Sequence, residues 1–162
     1  MARQRRLLKK NASYHAIATI NRFENAFQQD MFKEMFLIVL MQAKKKYKFY
    51  VRNFCVLPNN VQFIIQPAED ESLSSIMQWI LSVFAKRYNR ANELKGHLFL
   101  DRFKSTIIAD LLKYLNIYDE ISNHPVNENI CGAAVDYKYG GLYFIMNRIY
   151  DIVEPPQMVL SL

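Results

Sequence analysis

The stretch FYVRNFCVLPNNVQFIIQ, Phe49–Gln66, decides the fold. Two runs rich in aromatic and β-branched residues, Phe49–Leu57 and Val61–Gln66, flank the turn chemistry of Pro58-Asn59. That arrangement predicts a β-hairpin. Upstream, Met31, Phe32, Met35, Phe36, Val39 and Leu40 recur at helical spacing behind Asp30, the expected N-cap. This helix closes in the basic run Lys44–Lys48, where cations complement the helix dipole. Before it, Tyr14–Ile20 reads as a strand and Asn21–Ala26 as a polar loop. Downstream, Glu69–Ser72 leads into a helix carrying Leu73, Ile76, Met77, Ile80, Leu81, Phe84 and Ala85 on one face. Gly96 ends that pattern, and HLFLDRFKSTII, His97–Ile108, reads as a fourth strand with a bend. Asp110–Asn123 reads as a third helix stopped by Pro125. The order β-α-β-β-α-β-α makes the chain α+β. Its first six elements predict a ferredoxin-like antiparallel sheet with two helices on one face, plus a C-terminal helix. That fold hosts many activities, so function has to be argued from the residues it carries.

The chain has 162 residues, 51% of them hydrophobic and 14% aromatic, which suits one domain with a sizeable core. With only 4 Gly and 5 Pro, no flexible linker is evident. The expected division is a basic arm over 1–12 (Arg3, Arg5, Arg6, Lys9, Lys10), a domain over 13–150 and a tail over 151–162, loosened at Pro155-Pro156. Cys55 and Cys131 lack the paired spacing of a zinc site and are expected to be reduced thiols. No apolar run follows the basic arm as in an export signal. The longest apolar stretch, Met35–Met41, is far below the ~20 residues a membrane span needs. A soluble cytoplasmic protein without a membrane partner is expected. The net charge of +6 is compatible with a polyanionic partner.

Three segments in order carry a family likeness. Tyr14-His15 lies in the opening strand, ahead of a polar turn with Asn21-Arg22. Leu57-Pro58-Asn59-Asn60-Val61-Gln62 enters the third strand, and Gly96-His97-Leu98-Phe99-Leu100-Asp101-Arg102-Phe103-Lys104-Ser105 enters the fourth. His124-Pro125-Val126 and Asp136-Tyr137-Lys138-Tyr139-Gly140 follow. Together, over about Tyr14 to Ile145, they resemble the IS200-like single-tyrosine (Y1) transposases, especially the stand-alone relatives associated with repetitive extragenic palindromes. The second segment resembles the family's L-P-N-H-V-H, the third its G-H-x-[WF]-x-x-R-F-K-S, and His124-Pro125-Val126 its N-P-V.

The resemblance implies a definite chemistry. A tyrosine hydroxyl attacks a phosphodiester of single-stranded DNA and forms a phosphotyrosine link. A divalent cation such as Mg²⁺ or Mn²⁺, held by two histidines two residues apart on a strand, polarises the phosphate. The two histidine positions fall on Asn60 and Gln62, neutral ligands that are weak beside imidazole. The tyrosine position, counted back from His124-Pro125-Val126, falls on Glu120. Tyr118 lies two residues earlier, about 200° around a helix. The family's third ligand position falls on His124, one turn from Glu120 and able in principle to pair with it. The expectation is a DNA-binding relative, for single-stranded or hairpin DNA, with no intact catalytic set and no resident metal. The competing expectation is an active enzyme using Tyr118 or Tyr114 with His124. Family members also dimerise through their sheets, so a homodimer or a purely structural module fits as well.

Candidate DNA contacts are Arg22, Lys86, Arg87, Arg90, Arg102 and Lys104. Lys86, Arg87 and Arg90 surround Tyr88, an aromatic-plus-cation pattern that suits single strands. Arg102 and Lys104 alternate with Phe103 and so share one strand face. Ordinary solvated helix ends and strand faces would carry the same patterns.

Overall fold

The structure is a computed structural model that describes residues 11–21 and 25–155. The basic arm, Arg22 and the end of the tail lie outside these residues. The elements are β1 (Tyr14–Thr19), α1 (Asp30–Lys46), β2 (Phe49–Val56), β3 (Asn60–Pro67), α2 (Leu73–Ala91), β4 (Lys104–Ile107), α3 (Leu111–Asn127) and α4 (Gly141–Met146). A single 3-10 turn spans Ala134–Asp136. The four strands form one antiparallel sheet in the order β2-β3-β1-β4, as the ferredoxin-like expectation requires.

Strand periodicity splits the sheet into two faces. Tyr14, Ala16 and Ala18 of β1, Val61, Phe63 and Ile65 of β3, and Phe54 and Val56 of β2 are buried on one side. They form a single core with Phe36, Val39 and Leu40 of α1 and Ile76, Ile80 and Phe84 of α2. Its centre is aromatic: Phe27 stacks on Phe84 at 5.1 Å, and Phe36 meets Phe84 edge-on at 5.2 Å. On the opposite side, Ile117 and Ile121 of α3 join Cys55, Leu57, Ile64 and Tyr137 in a second, smaller cluster. The sheet is thus sandwiched between α1 and α2 on one face and α3 on the other.

A bulge in β2 between Val51 and Asn53 fixes α3 in place. Asn53, fully buried, donates from Nδ2 to the Tyr118 carbonyl at 3.1 Å and to Ser122 Oγ at 2.9 Å. Its Oδ1 accepts the Phe54 N–H at 2.9 Å. Gly141 is required against it, since a Cβ there would come within 2.4 Å of Asn53 Oδ1.

Several sequence expectations need correction. Gln29, not Asp30, is the N-cap of α1 and makes no side-chain cap bond. The fourth strand shrinks from 97–108 to Lys104–Ile107. Phe99 only bridges Ile20 and the Leu100 N–H bonds the Thr19 carbonyl, before Asp101 and Arg102 turn the chain away. Pro125 does not stop the third helix, which runs on to Asn127. So near the helix end its missing N–H leaves only one carbonyl without its helical donor, and the ring is buried. The division at residue 151 does not follow the packing. Ile152 and Val153 are fully buried, Val153 bridges Val51, and the Glu154 N–H bonds the Val51 carbonyl. Glu154 also pairs with Lys44.

Candidate nucleic-acid interface

Register places the candidate ligand positions on the α3 side of the sheet. Gln62 and Lys104 both stand opposite Ile17, and Asn60 stands opposite Thr19. His15, two positions from Ile17 along β1, is on the same face and reaches Gln62: its Nε2 lies 3.0 Å from Gln62 Oε1. Because the acceptor is a carbonyl oxygen, the donated proton belongs to Nε2. Gln62 Nε2 in turn donates to Asn60 Oδ1 at 3.2 Å, and Asn60 Nδ2 to Asn59 Oδ1 at 2.7 Å. Four side chains thus form one hydrogen-bonded chain, with Gln62 buried and His15 and Asn60 half-buried.

These residues do not fit the divalent cation that the resemblance implies. The two oxygens facing such an ion, Gln62 Oε1 and Asn60 Oδ1, are neutral and already accept hydrogen bonds. Among the described residues, no group of three His, Cys, Asp or Glu side chains is arranged to hold a metal. A carboxamide site without a carboxylate supplies little of the charge that Mg²⁺ or Mn²⁺ needs.

α3 presents Ile117, Ile121 and Pro125 to the sheet, with Tyr114 and Tyr118 half-buried beside them. Glu120 is on the exposed side and forms no ion pair among the described residues. His124 Nε2 lies 3.6 Å from Glu128 Oε1, one turn on, and the Glu120–His124 pair that the spacing allows is not made. No hydrogen bond or ion pair among the described residues joins α3 to Asn60 or Gln62. Burial raises the phenol pKa of both Tyr114 and Tyr118, keeping them neutral; Arg52 opposes the rise at Tyr114. Both tyrosines line a cleft with Arg52 and Gln66. Gln66 is four residues along β3 from Gln62, about 13 Å at the usual strand rise.

The basic candidates fall on two sides of the molecule. Lys104 is exposed on the α3 side. Lys86 and Arg102, both exposed, line a cleft of about 830 Å³ between α2 and residues 96–103, with Ser74, Gln78 and Ser82 along its α2 wall. Arg102 lies in a bend outside β4, its N–H bonded to Asp101 Oδ1 at 2.7 Å, yet Arg102 and Lys104 are both exposed with Phe103 buried in the core between them. Arg87 is half-buried and Arg90 exposed near the end of α2. Tyr88 is no stacking platform: it is 6% exposed and meets Phe32 edge-on at 4.8 Å inside the core. Sequence reading passed over Arg52 and the role of His15 as a partner of Gln62. Only strand register, which single-sequence patterns leave open, brings them to the site.

Comparison with known proteins gives concordant matches. A family model described as transposase IS200-like matches residues 8–119. The structure of a REP-associated tyrosine transposase bound to a REP hairpin superposes with a TM-score of 0.76 at 20% identity, covering 99% of this chain and 96% of that one. A crystal structure assigned to a transposase from Deinococcus radiodurans R1 gives 0.52 at 14% identity, covering 76% and 97%. At these identities the structural likeness is one of fold. No curated protein matches the sequence.

Proposed function

This chain belongs to the IS200-like transposase family, and from that premise we propose that it binds single-stranded or hairpin DNA without cutting it. The observation that carries the reading is the hydrogen-bonded chain His15–Gln62–Asn60, where the resemblance puts a metal-holding histidine pair. Glu120, at the nucleophile position, cannot form a phosphotyrosine and its charge would repel a phosphate. The scaffold, the net charge of +6 and the exposed cations Lys86, Arg90, Arg102 and Lys104 support the DNA part of the reading, with Arg87 and Arg22 as further candidates. The solved relative bound to a REP hairpin makes a hairpin the first substrate to try.

The domain in this reading runs from about residue 13 to Glu154, between a basic arm and a short tail, in the cytoplasm; among the described residues no helix is long and apolar enough to cross a membrane. A homodimer through the outer edge of β4 completes it. β2, at the other sheet edge, is closed by Val153 and Gly140, whereas no described strand pairs the outer side of β4. Light scattering tests that element, and a monomer removes it.

The alternative, cutting by Tyr118 or Tyr114, is favoured by one observation: both rings face a cleft that holds Arg52. Against it stand their raised pKa values and the absence, among the described residues, of any hydrogen bond from α3 to Asn60 or Gln62. Fluorescence anisotropy with labelled hairpins and single strands tests the binding. The expected result is an affinity that falls steeply with added salt. Absence of binding to any hairpin or strand at low salt contradicts the proposal.

A further inference from the structure

We infer that the cleft over Arg52, Gln66, Tyr114 and Tyr118 accepts one unpaired nucleotide of a bound DNA strand. This rests on the DNA-binding reading above and assigns a subsite within it, distinct from the Lys86–Arg102 cleft. The cavity measures about 770 Å³ and is walled by the start of α3, by Ser13 ahead of β1 and by Ile145 and Pro155. That is room for a base and its sugar phosphate, within the usual range of ligand pockets.

The polar groups suit a nucleotide. Arg52 spends one N–H on Gln66 Oε1 at 3.3 Å and lies 5.2 Å from the Tyr50 ring centroid. Among the described residues no carboxylate pairs with it. A guanidinium has five N–H donors in a fork that matches a phosphate or the edge of a guanine. Two acids also line the cleft, and both are engaged: Glu154 pairs with Lys44, and Asp110 Oδ1 accepts the Lys113 N–H at 2.8 Å as the cap of α3. Lys44 offsets Glu154, and Asp110 keeps its charge against the N-terminal dipole of α3, so Arg52 is the lining cation left without a carboxylate partner among the described residues.

The apolar groups suit a base. Tyr114 and Tyr118 lie one turn apart on α3 with ring centroids 6.2 Å apart and planes tilted by 31°. Their half-buried rings pack against the second core cluster, and the Asn53 bond to the Tyr118 carbonyl holds the helix backbone that carries them, so less side-chain freedom is lost on stacking. Both phenols are protonated at neutral pH, and burial raises their pKa further, so they offer neutral faces and hydroxyl donors. Aromatic faces beside a cation are the usual means of holding single strands.

The test is photocross-linking of the full chain to a single-stranded oligonucleotide substituted with 5-iodouracil, mapped by mass spectrometry. It is run beside anisotropy on the same oligonucleotide and on a blunt duplex. The expected result is cross-linking to Tyr114 or Tyr118. Arg52→Gln and, separately, Tyr114→Ala then weaken single-strand binding by about tenfold while leaving duplex binding within about twofold. Circular dichroism of both variants verifies that they fold, and either folded variant suffices for the comparison. Cross-links confined to α2 and residues 96–103, or unchanged single-strand affinity in a folded variant, overturn the subsite and leave DNA binding standing. Failure of the unmodified chain to bind any DNA overturns both.

Discussion

His15 and Gln62 are diagonal neighbours across the β1–β3 ladder, and the imidazole Nε2 lies 3.0 Å from the carboxamide Oε1. Two groups that close on one sheet face are near enough to share a ligand, yet here they bond each other. Replacing both carboxamides with imidazoles would convert the network into a metal-binding set. Asn60→His combined with Gln62→His, with His15 alongside, is expected to bind Mn²⁺ at least about tenfold more tightly than the unmodified chain by calorimetry. Equal affinity in the two proteins would show that the native residues already suffice.

Asn53 ties the bulge of β2 to α3 through two donated hydrogen bonds and has no exposure to solvent. Asn53→Ala removes those bonds and leaves the buried Phe54 N–H without its acceptor, so it should cost about 2–3 kcal/mol in urea unfolding. Gly141→Ala forces a Cβ against Asn53 Oδ1 and should destabilise the chain in the same range, about 1–3 kcal/mol. A neutral result for either would mean that α3 is held by its apolar contacts alone.

Tyr88 is part of the core, against Phe32 and Phe84. Tyr88→Phe should therefore leave DNA affinity within about twofold, while Tyr88→Ala lowers stability by about 3–4 kcal/mol. A selective loss of affinity in folded Tyr88→Phe would restore this ring as a DNA contact.

Burial pushes the Cys55 thiol and the Tyr137 phenol, which donates to the Val56 carbonyl, well above their ordinary values of 9.0 and 10.0. Both stay protonated in the folded chain, whereas the unfolded chain loses these protons once the pH passes the ordinary values. The unfolded state then binds fewer protons, so stability falls as pH rises above about 9 and is unaffected by these groups below about 8. Urea midpoints at about pH 8 and about pH 10.5 should show the drop, and Cys55→Ala should reduce it. An unchanged pH profile in Cys55→Ala would remove the thiol from this account.

The fold was legible because the hairpin Phe49–Gln66 and the helical spacing of α1 and α2 are strong local signals backed by the core they build. Local signals misled where tertiary contacts decide. His97–Ile108 has strand-like residues, yet Leu98 and Phe103 are buried anchors of an irregular strap. Pro125 sits in a helix because packing outweighs one missing donor. Ile152 and Val153 looked like the start of a tail because a short apolar pair carries no period. The residue types at 60 and 62 were readable inside the segment Leu57–Gln62, whereas position 120 rests on counting back from His124-Pro125-Val126. The bond to His15, the outward face of Glu120 and the cleft at Arg52 depend on register and helix rotation, which no single segment encodes.

Binding without cutting is checked by incubating the full chain with labelled hairpin and single-stranded DNA in Mg²⁺ and in Mn²⁺. Denaturing electrophoresis is then read against anisotropy on the same samples. The expected result is salt-sensitive binding with no nicked strand and no covalent protein–DNA band in either metal. A covalent band that disappears in Tyr118→Phe or Tyr114→Phe would contradict it.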